Sequence, residues 1–138
     1  MRSLLSKTST ARFSTKSVDG PGLINLLKTP VLVIDVRDAY EIAETGRLSD
    51  RFDEMKAHKH CTYGEITLNQ ILEGGLSLDA DEFEDAFEFP KPSLDETVVF
   101  SCAAGVRSAT AQKVATDAGY PNTINYSGGW HEFCQLEL

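Results

Sequence analysis

Cysteine is scarce in this chain: 138 residues contain only Cys61, Cys102 and Cys134. An odd number at wide, irregular spacing excludes a disulfide framework and a zinc ribbon, and free thiols suit a reducing compartment. Long apolar runs are missing too. None approaches the roughly 20 residues that cross a bilayer as a helix. What remains is 41% hydrophobic and 25% charged, which is enough for one domain with a real core.

Acids are absent from residues 1–18, which carry Arg2, Lys7, Arg12 and Lys16. The rest of the chain holds nine basic against twenty-one acidic residues, so an overall charge of −8 conceals a body at −12. Such a body repels phosphates, which argues against nucleic acid as a partner. The opening "MRSLLSKTSTARFSTKS" is basic and rich in Ser and Thr, and Leu4, Leu5 and Phe13 would share a side if it became helical. These are the attributes of a mitochondrial transit peptide, the alternative being a disordered basic tail on a cytosolic protein. Residues 1–17 are therefore expected to be leader or tail, and residues 18–138 the domain.

Strands and helices alternate along the domain. "VDGPGLINLLKT" reads as a helix capped by Asp19, with Pro21 in its first turn and Pro30 as its stop. "VLVIDV" (31–36) is a short β-branched run suited to a strand buried on both faces. A helix over "RDAYEIAETG" follows, ended by Gly46. Helices are also expected at 66–75 and after Ser77 or Asp79, and a loop at "PKPSLDE". "TVVFSC" (97–102) is a second strand, "RSATAQKVATDAGY" a helix stopped by Gly119, "NTINYSGG" a third strand, and "WHEFCQLEL" a short helix on which Cys134 is expected to pack. Residues 47–65 are charged and aperiodic and read as a surface insertion. His58, His60 and Cys61 lie within it, but a zinc site needs about four ligands and no second pair is spaced to supply them. Alternating elements of this kind imply a parallel α/β sheet, with its chemistry beyond the carboxyl ends of the strands.

Cys102 falls at such an end, where a strand meets a helix. The helix start supplies partial positive charge and unpaired N–H groups. Ala103, Ala104 and Gly105 leave the backbone bare, so that successive amides can form a nest for an anion. Val106 adds another small neutral side chain, and Arg107 adds a cation at the far end. A thiolate in this setting has a depressed pKa and is a good nucleophile. A buried, inert cysteine is the plainer alternative. Ser108 would either cap the helix or donate to the sulfur.

"VLVIDVRDAYE", "TVVFSCAAGVRS" and "YSGGWHEF", in this order, resemble a single-domain rhodanese-type sulfurtransferase over about residues 18–46 and 66–138. The resemblance implies a five-stranded parallel sheet with helices on both sides and makes Cys102 the sulfur carrier, wrapped by residues 103–107. It further implies transfer of sulfur from thiosulfate or a related donor to cyanide or a thiol, such as glutathione or thioredoxin, with no metal or organic cofactor. Arg107, with Arg37, would attract the anionic donor. Asp35 and Arg37 would brace the fold, Gly128 and Gly129 would let backbones approach closely, and Trp130 would anchor the last helix.

Such domains usually carry a Gly-His-Ile-Pro-Gly-Ala-like segment leading into another strand. "TGRLSDRFDEMKAHKHCTYGEITL" stands in that place without the Pro-Gly turn or an apolar strand, so an edge strand is expected to be displaced or replaced by residues 49–64. A related cysteine phosphatase would need five residues between cysteine and arginine, and this chain has four, which leaves a cradle of sulfur size. A module that carries or senses persulfide without turnover is a further alternative.

Overall fold

The computed structural model describes residues 16–52, 54 and 60–137. The transit peptide expected over residues 1–17 lies almost wholly outside this range. Ser17, however, is paired in the sheet, and Lys16 O accepts from Asn125 N at 3.0 Å.

The central sheet has five parallel strands: β1 (Ser17–Val18), β2 (Val31–Asp35), β3 (Thr62–Glu65), β4 (Thr97–Ser101) and β5 (Thr123–Tyr126). Their spatial order is β1-β5-β4-β2-β3. Among the described residues six α-helices connect or flank them: α1 (Gly20–Leu26), α2 (Ala39–Thr45), α3 (Leu68–Leu72), α4 (Ala80–Phe87), α5 (Val106–Asp117) and α6 (Gly129–Phe133).

Alternation along the buried strands feeds two cores, one on each face. Leu32, Ile34, Val98 and Phe100 point to one side, against Ile71 of α3, Phe83 of α4 and Ala111 and Ala115 of α5. Val31, Val33, Val99 and Ile124 point to the other, against Leu23 of α1, Leu27 at its C-cap and Phe133 of α6. Every residue of β2 is buried, as the central position in a doubly covered parallel sheet requires.

The caps follow the sequence. Asp19 accepts from Gly22 N at 2.9 Å, and of the two candidates for α4 it is Asp79 that caps, accepting from Glu82 N at 2.9 Å. The helix expected over 66–75 contracts to α3, because Ile66 N instead donates to Asp35 O at 3.1 Å and Thr67 caps the helix.

Residues 47–65 depart from expectation. No edge strand is lost: β3 forms from the end of this segment and pairs with β2 from Leu32–Thr62 to Asp35–Glu65. It escaped notice because it is four residues long and mostly polar, as a sheet edge tolerates. A Cβ on Gly64 would collide with the Phe89 ring, so the strand's buried position has room only for glycine. Before it, a 3-10 turn (Leu48–Arg51) buries Leu48, and Arg51 donates to the carbonyls of Phe133 and Leu136, tying the segment to the C-terminal helix.

From β2 the chain moves outward to β3, then crosses back to place β4 on the other side of β2. The carboxyl ends of β2 and β4 thus flank the point where strand order reverses, the usual position for a site in an open α/β sheet.

Candidate active site

Cys102 directly follows β4 and is 1% exposed. Its Sγ accepts from Gly105 N at 3.1 Å and from Ser108 N at 3.4 Å, and Ser108 Oγ lies 3.2 Å away. Burial pushes the thiol pKa up, but the Ser108 side chain and the amides of Ser108, Ala104 and Gly105 together outweigh it, and the balance falls below the ordinary thiol value. The buried sulfur is thereby easier to ionise than a free thiol.

The loop Ala103–Ser108 is held from behind. Trp130 N donates to Cys102 O at 2.8 Å, and His131 N donates to Ala103 O at 3.0 Å. A trans peptide points its N–H opposite its C=O, so these two anchors turn the amides of Ala103 and Ala104 toward the sulfur side. Gly129 makes the approach feasible: it has φ +58°, and a Cβ there would lie 2.5 Å from Ala103 O. Gly128 packs beside Glu132, where a Cβ would also collide. Gly105 has φ +85°, and a Cβ there would lie 2.4 Å from Ser127 O. Ala104 and Val106 are exposed, so the mouth is lined by backbone and small side chains.

Arg37 does not face this mouth. It is 2% exposed, and its guanidinium donates to both carboxylate oxygens of Asp35, to Thr45 Oγ1 at 2.7 Å and to Gly46 O at 3.0 Å. The Trp130 ring covers it at 4.8 Å. The expectation that Arg37 attracts an anionic donor is corrected accordingly: buried, with its edges hydrogen-bonded and the Trp130 ring on one face, it ties the end of β2 to the end of α2. Arg107 does reach the loop's outer side, but it forms a bidentate pair with Glu41 of α2 at 2.6 and 2.9 Å. Its charge is therefore largely compensated locally.

Two contributors were missed in the sequence. Glu41 was read only as part of a helix, although an acid in the first turn of the helix after Asp35-Val36-Arg37 was the available signal. Asn125, between Ile124 and Tyr126 in β5, is 8% exposed and donates from Nδ2 to Gly105 O at 3.1 Å.

The other cysteines stand apart. Cys61 precedes β3 and so lies at the amino end of the sheet, opposite Cys102; the register places it level with Val31, about 15 Å from the carboxyl end at 3.3 Å per residue. Cys134 is exposed rather than packed, because Phe133 takes the inward position of α6. His60 is exposed and His58 lies outside the described residues. Among the described residues no cluster of three or more His, Cys, Asp or Glu is placed to hold a metal.

A family model for the rhodanese-like domain matches residues 22–136. The chain belongs to the rhodanese-like domain family. Relatives include thiosulfate sulfurtransferase/rhodanese-like domain-containing protein 3 of mouse, 32% identical over 108 residues, which are 78% of this chain and 60% of that protein. The mitochondrial thiosulfate sulfurtransferase RDL2 of Saccharomyces cerevisiae is 35% identical over 79% of this chain and 66% of its own length. The solved structure of that single-domain yeast protein superposes with a TM-score of 0.67, covering 88% of this chain and 90% of that one at 32% identity. A thiosulfate:glutathione sulfurtransferase of the same yeast is 42% identical over 42% of each chain. The rhodanese-like chain thus spans about three fifths to two thirds of the first two relatives' length.

Proposed function

We propose that this rhodanese-like protein is a sulfurtransferase that carries sulfane sulfur as a persulfide on Cys102. The observation that carries the reading is the convergence of the Gly105 and Ser108 amides and the Ser108 hydroxyl on one buried sulfur. Donors preorganised around a developing anion are what such an exchange needs.

In the first step the Cys102 thiolate attacks the outer sulfur of thiosulfate. The new S–S bond forms as the S–S bond of the donor breaks, and sulfite leaves with the electron pair. In the second step an acceptor thiolate attacks the outer sulfur of the persulfide, takes it, and releases the Cys102 thiolate. No net oxidant or reductant is consumed. The loop amides from Ala103 to Ser108 hold the anionic outer sulfur. Arg107, neutralised in part by Glu41, positions the loop more than it draws anions from a distance.

Glutathione is the proposed small acceptor, supported by the likeness to the yeast thiosulfate:glutathione sulfurtransferase. A mitochondrial matrix location is proposed on the basic leader-like segment, together with the name of the yeast mitochondrial relative. No described helix is long and apolar enough to cross a membrane.

The test is purified protein with thiosulfate and cyanide, reading thiocyanate, with Cys102→Ser as control. Turnover that vanishes in the control supports the reading. No Cys102-dependent product, with glutathione and thioredoxin also failing as acceptors, would sink it.

A further inference from the structure

We infer that Asn125 is a positioning residue for the sulfur cradle, locking the Gly105–Val106 peptide against a flip that would turn a carbonyl toward Cys102. The inference deepens the sulfurtransferase reading and rests on Cys102 being the working sulfur.

Gly105 is pinned on two sides. Its N–H donates to Cys102 Sγ at 3.1 Å, and its carbonyl accepts from Asn125 Nδ2 at 3.1 Å. Because the peptide is planar and trans, holding that carbonyl toward β5 sends the Val106 N–H the other way. That N–H belongs to the first turn of α5, whose amides have no partner within the helix and point back into the loop. The Gly105–Val106 peptide therefore keeps its carbonyl dipole turned away from Cys102 only while that carbonyl stays on the β5 side.

Glycine makes this orientation fragile. Gly105 sits at φ +85°, and a residue without Cβ moves between backbone wells at little cost. A flip would bring the negative end of a carbonyl beside an anionic sulfur. Two other loop carbonyls, those of Cys102 and Ala103, are restrained by the backbone of α6. For the Gly105 carbonyl the anchor is a side chain.

The side chain itself is an odd choice on packing grounds. Asn125 is 8% exposed and its Oδ1 has no hydrogen-bond partner among the described residues. Burying an unpaired amide oxygen carries a desolvation cost that a leucine of similar size would avoid. The amide is explained by its Nδ2 donor. The assignment of Nδ2 to this bond is unambiguous, because a carbonyl oxygen only accepts.

The experiment is the pH dependence of iodoacetamide labelling at Cys102, read peptide by peptide by mass spectrometry, in the wild type, Asn125→Leu and Asn125→Ser. Urea unfolding runs in parallel. Both variants are neutral, so no new charge acts on the thiol. The expected result is an inflection moved to higher pH, with labelling near neutral pH slowed about tenfold, the worth of one hydrogen bond to a charged group. The rate above the inflection should be unchanged. A shift in the urea midpoint with a wild-type labelling profile means Asn125 is only structural and overturns the inference. If neither variant folds, NMR on the wild type decides through the coupling across the Asn125 Nδ2 to Gly105 carbonyl hydrogen bond: its presence supports the lock and its absence overturns it. Labelling needs no sulfur donor, so a shifted profile in a protein that takes no sulfur from thiosulfate would refute the transfer reading and leave the positioning role standing.

Discussion

At Cys102 two effects oppose each other. Burial favours the neutral thiol, while the Ser108 hydroxyl and three backbone amides favour the thiolate, and the donors win. The folded-state pKa is thus depressed, so the thiolate persists in the native protein at a pH where the unfolded chain has already taken up its proton. Labelling of native Cys102 should titrate at lower pH than labelling in urea. Ser108→Ala removes the largest of the favourable contributions and leaves the amides in place. We expect its labelling curve to move toward the unfolded one, with a loss of roughly tenfold near neutral pH. A curve unchanged by Ser108→Ala would mean that the hydroxyl serves the helix and not the sulfur. Arg37 teaches a related lesson at this scale: an arginine beside a site is not thereby a substrate arginine. The sequence showed its charge and not its burial against Asp35 and Trp130.

Two elements press on the loop from outside. The turn from β5 into α6 brings the Trp130 and His131 amides onto the carbonyls of Cys102 and Ala103, and it passes through Gly129 in a left-handed conformation. Gly129→Ala adds backbone strain of about 1–2 kcal/mol and drives a methyl group toward Ala103 O. Urea unfolding should show a loss at least that large, together with slower Cys102 labelling.

The start of α2 presses from the other side, through Glu41 and Arg107. Arg107 holds the Glu41 carboxyl down to about 2 against an ordinary 4.5. A depressed acid contributes stability that is full above its unfolded pKa and disappears as pH falls through its folded one. The stability gap between wild type and Glu41→Gln should therefore be flat above about pH 5 and close between there and about pH 2, read by urea unfolding across pH. Glu41 keeps 23% of its side chain in solvent, so screening trims the gap. A gap independent of pH would show that the ion pair contributes nothing.

Across the whole molecule, what could be read in advance followed the strength of the local signal. The interior strands β2 and β4 are short but nearly unbroken apolar runs, and the helix caps, glycine stops and cysteine loop that follow sit in the sequence in order. The flanking edges left little trace. β1 has two residues and β3 four, mostly polar, and each exists because a neighbouring strand offers it free backbone groups. Pairing across the sheet is invisible in a local pattern. The site shows the same division. Cys102, its small loop residues and Ser108 are contiguous and were legible, whereas Glu41 and Asn125 reach the loop from 66 and 20 residues away, through Arg107 and Gly105. Only the fold brings them there. The cation at the loop, Arg107, is already paired with Glu41, so in the proposed reading anion capture falls to the loop amides at short range.

That claim is tested most directly by intact-protein and peptide mass spectrometry after brief incubation with thiosulfate and removal of the excess. A gain of one sulfur atom on the peptide bearing Cys102, released by glutathione and absent from Cys102→Ser, is the predicted result. A protein that stays at its original mass, or that gains the sulfur on Cys61 or Cys134 instead, would contradict the account.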